Sequence, residues 1–80
     1  MKFIIKDANK KEVLITSDIK EIYEYLKTQV YDPEHLLSLE RIKNAINYDK
    51  NYSKKEQSRF GFYLDKEEKQ YISLDVFFNE

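Results

Sequence analysis

The sequence contains no cysteine and no tryptophan, and it has one glycine, one proline and one histidine in 80 residues. Without cysteine, disulfides, thiolate nucleophiles and cysteine-ligated zinc sites are excluded, so packing alone must supply the stability. The single histidine, His35, has neither a cysteine nor a second histidine with which to bind a metal. No catalytic constellation or glycine-rich phosphate loop is present. We therefore expect no metal, no cofactor and no enzymatic activity.

The length and the charge balance favour one small folded domain spanning residues 1–80. Hydrophobic residues make up 41% of the chain and charged residues 36%, which is typical of a globular protein. The net charge of -1 is too small to indicate a polyanion binder or a DNA mimic. Charges return after three apolar residues at the N-terminus, so a signal peptide or membrane span is not expected there. We expect a cytoplasmic protein with no membrane partner.

The amino-acid usage gives information about the source genome rather than about the function of the protein. Arg41 and Arg59 are the only arginines among 14 basic residues, while isoleucine, asparagine and tyrosine are abundant. This usage suggests an AT-rich genome, such as that of a low-GC bacterium or of its phages and mobile elements.

Two runs of three apolar residues, 3–5 and 13–15, flank a polar segment and predict a β-hairpin. Pairing Phe3 with Ile15 and Ile5 with Val13 places these four side chains on one face, the predicted core face. The middle residues, Ile4 and Leu14, then share the opposite face.

Two helices are predicted after this hairpin. The first has apolar residues at helical spacing and an N-cap at Thr16, Ser17 or Asp18. The second is predicted to begin at Asp32-Pro33, where proline suits the first helical position, and to end at about Asn47. The apolar residues of the first helix are Ile19, Ile22, Tyr23, Leu26 and Val30, and those of the second are Leu36, Leu39, Ile42 and Ile46.

The C-terminal third predicts a second hairpin whose register can be deduced. Pairing Phe62 with Ile72 gives one consistently apolar face, and Tyr63 then lies opposite Tyr71 on the other face. The predicted core face consists of Phe60, Phe62, Leu64, Ile72, Leu74, Val76 and Phe78. The expected fold is α+β, β-β-α-α-(short turn)-β-β, with a four-stranded, largely antiparallel sheet and both helices on one face.

The segment Arg59-Phe60-Gly61-Phe62-Tyr63-Leu64 resembles the RNP1 strand of RNA-recognition motifs and cold-shock domains, in which exposed aromatic rings stack on bases. The resemblance covers six residues and implies nucleic-acid binding. In the predicted register, however, Phe60 and Phe62 face the core, where they cannot stack on bases.

The strands also place apolar residues on the face that the core does not use. A solvated sheet face would show polar residues there, and large exposed apolar patches usually mark interaction sites. We therefore predict a protein-binding domain whose partner is a host protein or a second copy of itself. More specifically, we predict that the domain is an inhibitor or adaptor from a phage or mobile element that occludes a host enzyme such as a nuclease. The predicted partner-binding residues are Ile4, Leu14, Tyr63, Tyr71, Asp75 and Phe77.

The alternative prediction is a single-stranded nucleic-acid-binding protein. Lysines that meet phosphates and tyrosines that stack on bases suit such a ligand. The basic stretch that would carry this function consists of Lys50, Tyr52, Lys54, Lys55 and Arg59.

Overall fold

A computed structural model of the chain describes residues 1–29, 38–63 and 70–80, and the side chain of Tyr63 lies outside this description. The elements are β1 (Lys2–Lys6), β2 (Glu12–Thr16), α1 (Ile19–Gln29), α2 (Leu39–Asn51), β3 (Gln57–Tyr63) and β4 (Tyr71–Phe77). The four strands form one antiparallel sheet in the order β2-β1-β4-β3. The predicted α+β class and element order are confirmed. No helix of the described ranges is long and apolar enough to cross a bilayer.

The first helix begins where the sequence predicts. Asp18 is its N-cap, because the Asp18 carboxylate accepts a hydrogen bond from the Lys20 amide at 2.9 Å. Ile22 and Leu26, one turn apart, are fully buried. Val30, the last apolar residue predicted for this helix, lies outside the described residues.

The second described helix differs from the prediction at both ends. Ser38 is extended, with φ -63° and ψ 155°, and its hydroxyl accepts a hydrogen bond from the Arg41 amide. A helix cannot run through an extended residue, so α2 begins at Leu39 as a separate element and ends at Asn51 rather than Asn47. The predicted Asp32-Pro33 start falls in residues 30–37, outside the described residues.

The C-terminal hairpin has the predicted register. Phe62 pairs with Ile72 and Tyr63 pairs with Tyr71 without interruption along seven residue pairs. Phe60 and Phe62 pack against the core on the helix side of the sheet, each of them partly buried. Leu64, the remaining member of the predicted core face on β3, lies outside the described residues.

The register of the N-terminal hairpin was predicted wrongly by one residue. Phe3 pairs with Thr16, Ile4 with Ile15 and Ile5 with Leu14, and a bulge follows before Lys6 pairs with Glu12. A shift of one residue moves every side chain of a strand to the other face. Leu14 therefore packs against the core, whereas Ile15 is 57% exposed on the opposite face.

The core lies between the two helices and one face of the sheet. It joins both hairpins, because β1 and β4 are neighbours in the middle of the sheet. Burial of these side chains is the main stabilising term available to a chain without disulfides. The buried cluster consists of Phe3, Ile5, Ile22, Leu26, Ile42, Ile46, Ile72, Leu74, Val76 and Phe78.

Candidate binding surface

The sheet face directed away from the helices carries the residues that do not belong to the core, and we call it the far face. The strand pairings place directly opposite residues on the same face, so its membership follows from the register. The far face consists of Lys2, Ile4, Lys6, Glu12, Ile15, Gln57, Arg59, Gly61, Tyr71, Ser73, Asp75 and Phe77. Tyr63 is paired with Tyr71 through the backbone, but its side chain lies outside the described residues.

A charged network occupies the centre of the far face. Asp75 is only 5% exposed. Arg59 donates from Nε to Oδ1 at 2.7 Å and from Nη2 to Oδ2 at 3.1 Å, and Lys6 Nζ lies 3.1 Å from Oδ2. The hydrogen bonds from Arg59, assisted by Lys6, hold the pKa of the Asp75 carboxyl below its usual range despite the burial. Both oxygens of this carboxylate are thus engaged.

The arginine of this network is bonded to Asp75 yet accessible. Its side chain is 63% exposed although two of its nitrogen atoms are bonded to Asp75. The guanidinium lines an open groove together with Lys6, Gln57, Ser58, Asp75 and Phe77. Guanidinium groups carry five N–H donors, so Arg59 retains donors directed away from Asp75.

Aromatic and aliphatic side chains surround the charged centre. Ile15 on the edge strand is 57% exposed and Tyr71 is 43% exposed. Phe77 is half-buried, and the Lys2 ammonium lies 5.8 Å from the centre of its ring. Ile4 is 6% exposed because it lies in a central strand between Ile15 and Asp75.

The only glycine of the chain belongs to this surface. A Cβ atom at Gly61 would lie 1.6 Å from the Tyr71 hydroxyl oxygen, which means that the tyrosine ring crosses directly over the glycine. Such packing of an aromatic ring over a strand glycine covers the backbone that the missing side chain would leave open. The position of Tyr71 on the far face therefore depends on Gly61.

The structure corrects part of the predicted partner-binding set. Tyr71 and Phe77 lie on the far face as expected. Leu14 does not, because the register shift turns it to the core. Ile4 and Asp75 are on the far face, but both are buried by their neighbours and offer little area themselves.

Several far-face residues, among them Ile15 and Lys6, were missed by the sequence interpretation. Ile15 was assigned to the core because three apolar residues in a row fit either register. Lys6 was not considered, because it meets Asp75 only through the pairing of β1 with β4, which no local pattern of residues indicates.

The residues of the predicted basic stretch lie in two different places in the structure. Lys50, Tyr52 and Lys54 are exposed at the end of α2, where the Tyr52 ring stacks on Tyr48 with a centroid separation of 5.3 Å. Lys55 lies 3.8 Å from the Asp49 carboxylate. Arg59 is on the far face, held by Asp75. The preceding residue, Ser58, faces the helices instead and donates a hydrogen bond to Asp49 of α2.

Comparisons with known proteins identify no family for this chain. No protein family, no curated protein and no solved structure matches it. Within the described ranges, no group of three or more histidine, cysteine, aspartate or glutamate side chains is placed to hold a metal ion. Function must therefore be argued from the surface itself.

Proposed function

We propose that this chain is a non-enzymatic protein-binding domain and that the far face is its binding surface. The observation that carries the proposal is the combination, on one sheet face, of exposed apolar residues with an arginine that is hydrogen-bonded to Asp75. Ile15 and Tyr71 expose 57% and 43% of their surface, and the Arg59 side chain exposes 63%. Exposed apolar area on a sheet face that none of the described helices covers favours association with another protein.

The composition of the far face fits the residue types that dominate binding energy. Tyrosine and arginine are enriched at interface hot spots, because each offers a large area together with directed hydrogen bonds. Arg59 is already oriented by Asp75, so binding a partner would cost less side-chain entropy than with a mobile arginine. Tyr71 is likewise positioned by its packing over Gly61.

The chemistry of the face also indicates the kind of protein that would fit. Lys2, Lys6 and Arg59 outnumber Asp75 and Glu12, so the surface has an excess of positive charge in a chain of net charge -1. A partner with an apolar patch bordered by acidic residues would complement it. The more specific prediction of a phage or mobile-element inhibitor of a host enzyme stays a prediction.

A capture experiment with matched variants tests this proposal. The wild-type chain and Ile15→Asp are immobilised and incubated with nuclease-treated lysate from a low-GC bacterium. Ile15 is more than half exposed, so the substitution removes binding area while leaving the core intact. We expect a protein retained by the wild type to be lost with Ile15→Asp.

Tyr52→Asp is the matched control, since Tyr52 is also an exposed ring, 77% accessible, but lies at the end of α2. It should retain the captured protein. Equal recovery with the wild type and Ile15→Asp would contradict the assignment of the far face. Thermal melts of all three chains establish that each is folded.

Single-stranded nucleic-acid binding is a second candidate function, favoured by the stacked Tyr48–Tyr52 pair. Both rings are exposed, at 60% and 77%, beside Lys50 and Lys54. Bases stack on such rings, and phosphate contacts lose affinity steeply as salt increases. Titration of a labelled oligonucleotide at two salt concentrations tests it, with Tyr52→Ala expected to abolish binding. Retained affinity in Tyr52→Ala would contradict this alternative.

A further inference from the structure

The two edges of the sheet differ in how they are protected. β2 is five residues long and its register with β1 is interrupted by a bulge. β3 is seven residues long, contains no proline, and pairs regularly with β4 along its full length. Short strands, bulges, prolines and charged side chains are the usual protection against edge-to-edge pairing. β2 has the first two of these features and a charged residue, Glu12, whereas β3 has only the charge of Arg59, which is bonded to Asp75 of β4.

The backbone groups that β3 directs away from the sheet can be identified. The Phe78 amide donates to the Glu56 carbonyl at 3.1 Å, which makes this pair a hydrogen-bonded one. Hydrogen-bonded and non-hydrogen-bonded pairs alternate along an antiparallel ladder. The amides and carbonyls of Ser58, Phe60 and Phe62 therefore point towards β4. Those of residues 57, 59, 61 and 63 point outwards, and in the described ranges β4 is the only strand paired with β3.

We propose that β3 pairs with β3 of a second copy of this chain, antiparallel about a two-fold axis at Phe60. In this register Gln57 lies opposite Tyr63 of the other copy and Arg59 lies opposite Gly61. Every outward amide and carbonyl of the strand then has a partner, and all seven residues take part. The pairing is isologous, so it closes as a dimer rather than continuing as a fibre.

Charge and side-chain size favour pairing with a second copy of β3 in this register. Arg59 is the only charged residue in β3, and pairing it with Gly61 avoids the repulsion of two arginines placed directly opposite. On the helix side, Phe60 faces Phe60 of the second copy. Phe60 is only half-buried in the single chain, so this aromatic pair would complete its burial.

The proposed dimer uses the sheet edge and leaves the far face available. A two-fold axis perpendicular to the sheet places the helices of both copies on the same side. The two far faces then adjoin on the other side of one eight-stranded sheet, which doubles the surface offered to a partner. A bivalent surface of this kind increases the apparent affinity for a partner that itself has two sites.

A single introduced cysteine tests the register directly, because the chain has no cysteine of its own. In the proposed dimer the two copies of residue 60 form a non-hydrogen-bonded pair with Cα atoms about 4.5 Å apart, within disulfide range. Phe60→Cys should therefore form a disulfide-linked dimer under mild oxidation, seen on a non-reducing gel and reversed by reductant.

Ile15→Cys is the matched control on the far face. Ile15 is more exposed than Phe60, so random collision or association through the far face would cross-link it more readily. We expect Ile15→Cys to remain monomeric on the same gel. Cross-linking of Ile15→Cys as efficient as that of Phe60→Cys, or a Phe60→Cys chain that stays monomeric although folded, would overturn the proposal.

Amide exchange in the unmodified chain provides a measurement that needs no variant. The outward amides of Arg59 and Gly61 should exchange quickly at low protein concentration. When about nine-tenths of the chains are dimeric, their exchange should slow by about tenfold, because only the free tenth exposes them. The inward amides of Phe60 and Phe62 should be protected at both concentrations. Outward amides whose exchange is independent of concentration would refute pairing through β3.

Discussion

Arg59 and Asp75 lie directly opposite each other on β3 and β4 and are joined by two hydrogen bonds of 2.7 and 3.1 Å. The carboxylate is buried, and the ammonium of Lys6 on the next strand lies 3.1 Å from it. One acidic group thus links three of the four strands across the far face. Because two cations satisfy it, Asp75 remains charged where burial alone would favour the neutral acid.

The stabilising effect of Asp75 should depend on pH. Its pKa in the folded state is below the ordinary value of 3.8, so the folded protein binds a proton there less readily than the unfolded chain does. The stabilisation is therefore fully present above the unfolded pKa and is lost as the pH falls through the lower folded value. Denaturant titrations of the wild type and Asp75→Asn should show a constant difference above about pH 5 that shrinks below about pH 4. A difference that persists unchanged at about pH 2 would contradict this role.

Alanine substitutions should distinguish a fully buried core position from a half-buried one by the loss in the free energy of unfolding. Leu74 is fully buried between the helices and the sheet, so Leu74→Ala should reduce the free energy of unfolding by about 2–5 kcal/mol. Leu39, predicted from the sequence to be a core residue, is only half-buried at the first position of α2. Leu39→Ala should therefore cost less than Leu74→Ala in urea denaturation. Equal losses would indicate that α2 packs more deeply than the structure places it.

Because Tyr71 packs over Gly61, substitutions at these two positions should have non-additive effects on stability. Gly61→Ala should displace the outer end of the Tyr71 ring, and the loss of this packing should offset the gain expected from an alanine in a strand. In a Tyr71→Ala background the same substitution should be neutral or should stabilise by about 0.5–1 kcal/mol, as expected for a strand glycine replaced by alanine. A double-mutant cycle measured by chemical denaturation gives the coupling, and strictly additive effects would exclude the contact.

Ser58 should matter for the attachment of α2 to the sheet. Its hydroxyl donates to the Asp49 carboxylate at 2.7 Å, and Ser58 is 8% exposed. Ser58→Ala should lower the free energy of unfolding by about 1–3 kcal/mol, because a hydrogen bond to a charged and partly buried acceptor is lost. Ser53→Ala, at an exposed position in the preceding connection, is the matched control and should have little effect. Equal melting temperatures for both variants would count against this link.

The two hairpins illustrate why the sequence predicts one register and not the other. In the C-terminal hairpin, polar residues such as Ser73 and Asp75 alternate with apolar ones, so a shift of one residue would bury them among core side chains. In the N-terminal hairpin both strands have three consecutive apolar residues. Either register then looks equally apolar from the sequence, and the predicted one was wrong.

Packing between elements selected the observed register of the N-terminal hairpin. Leu14 is directed to the core because it pairs with the buried Ile5, and the bulge before Lys6 absorbs the extra residue. The start of α2 is a different case: Ser38 caps the described helix, and the predicted Asp32-Pro33 start lies outside the described residues.

The sequence by itself therefore determined the element order, the α+β class and the alternating faces of the C-terminal hairpin, because these depend on local periodicity. Only the tertiary structure decided which residues of the two hairpins meet on the far face. Asp75 lies 16 residues from Arg59 in the chain and meets Lys6 through the pairing of the first and last strands. Contacts of this kind arise from the order of strands in the sheet, and no local pattern of residues specifies that order.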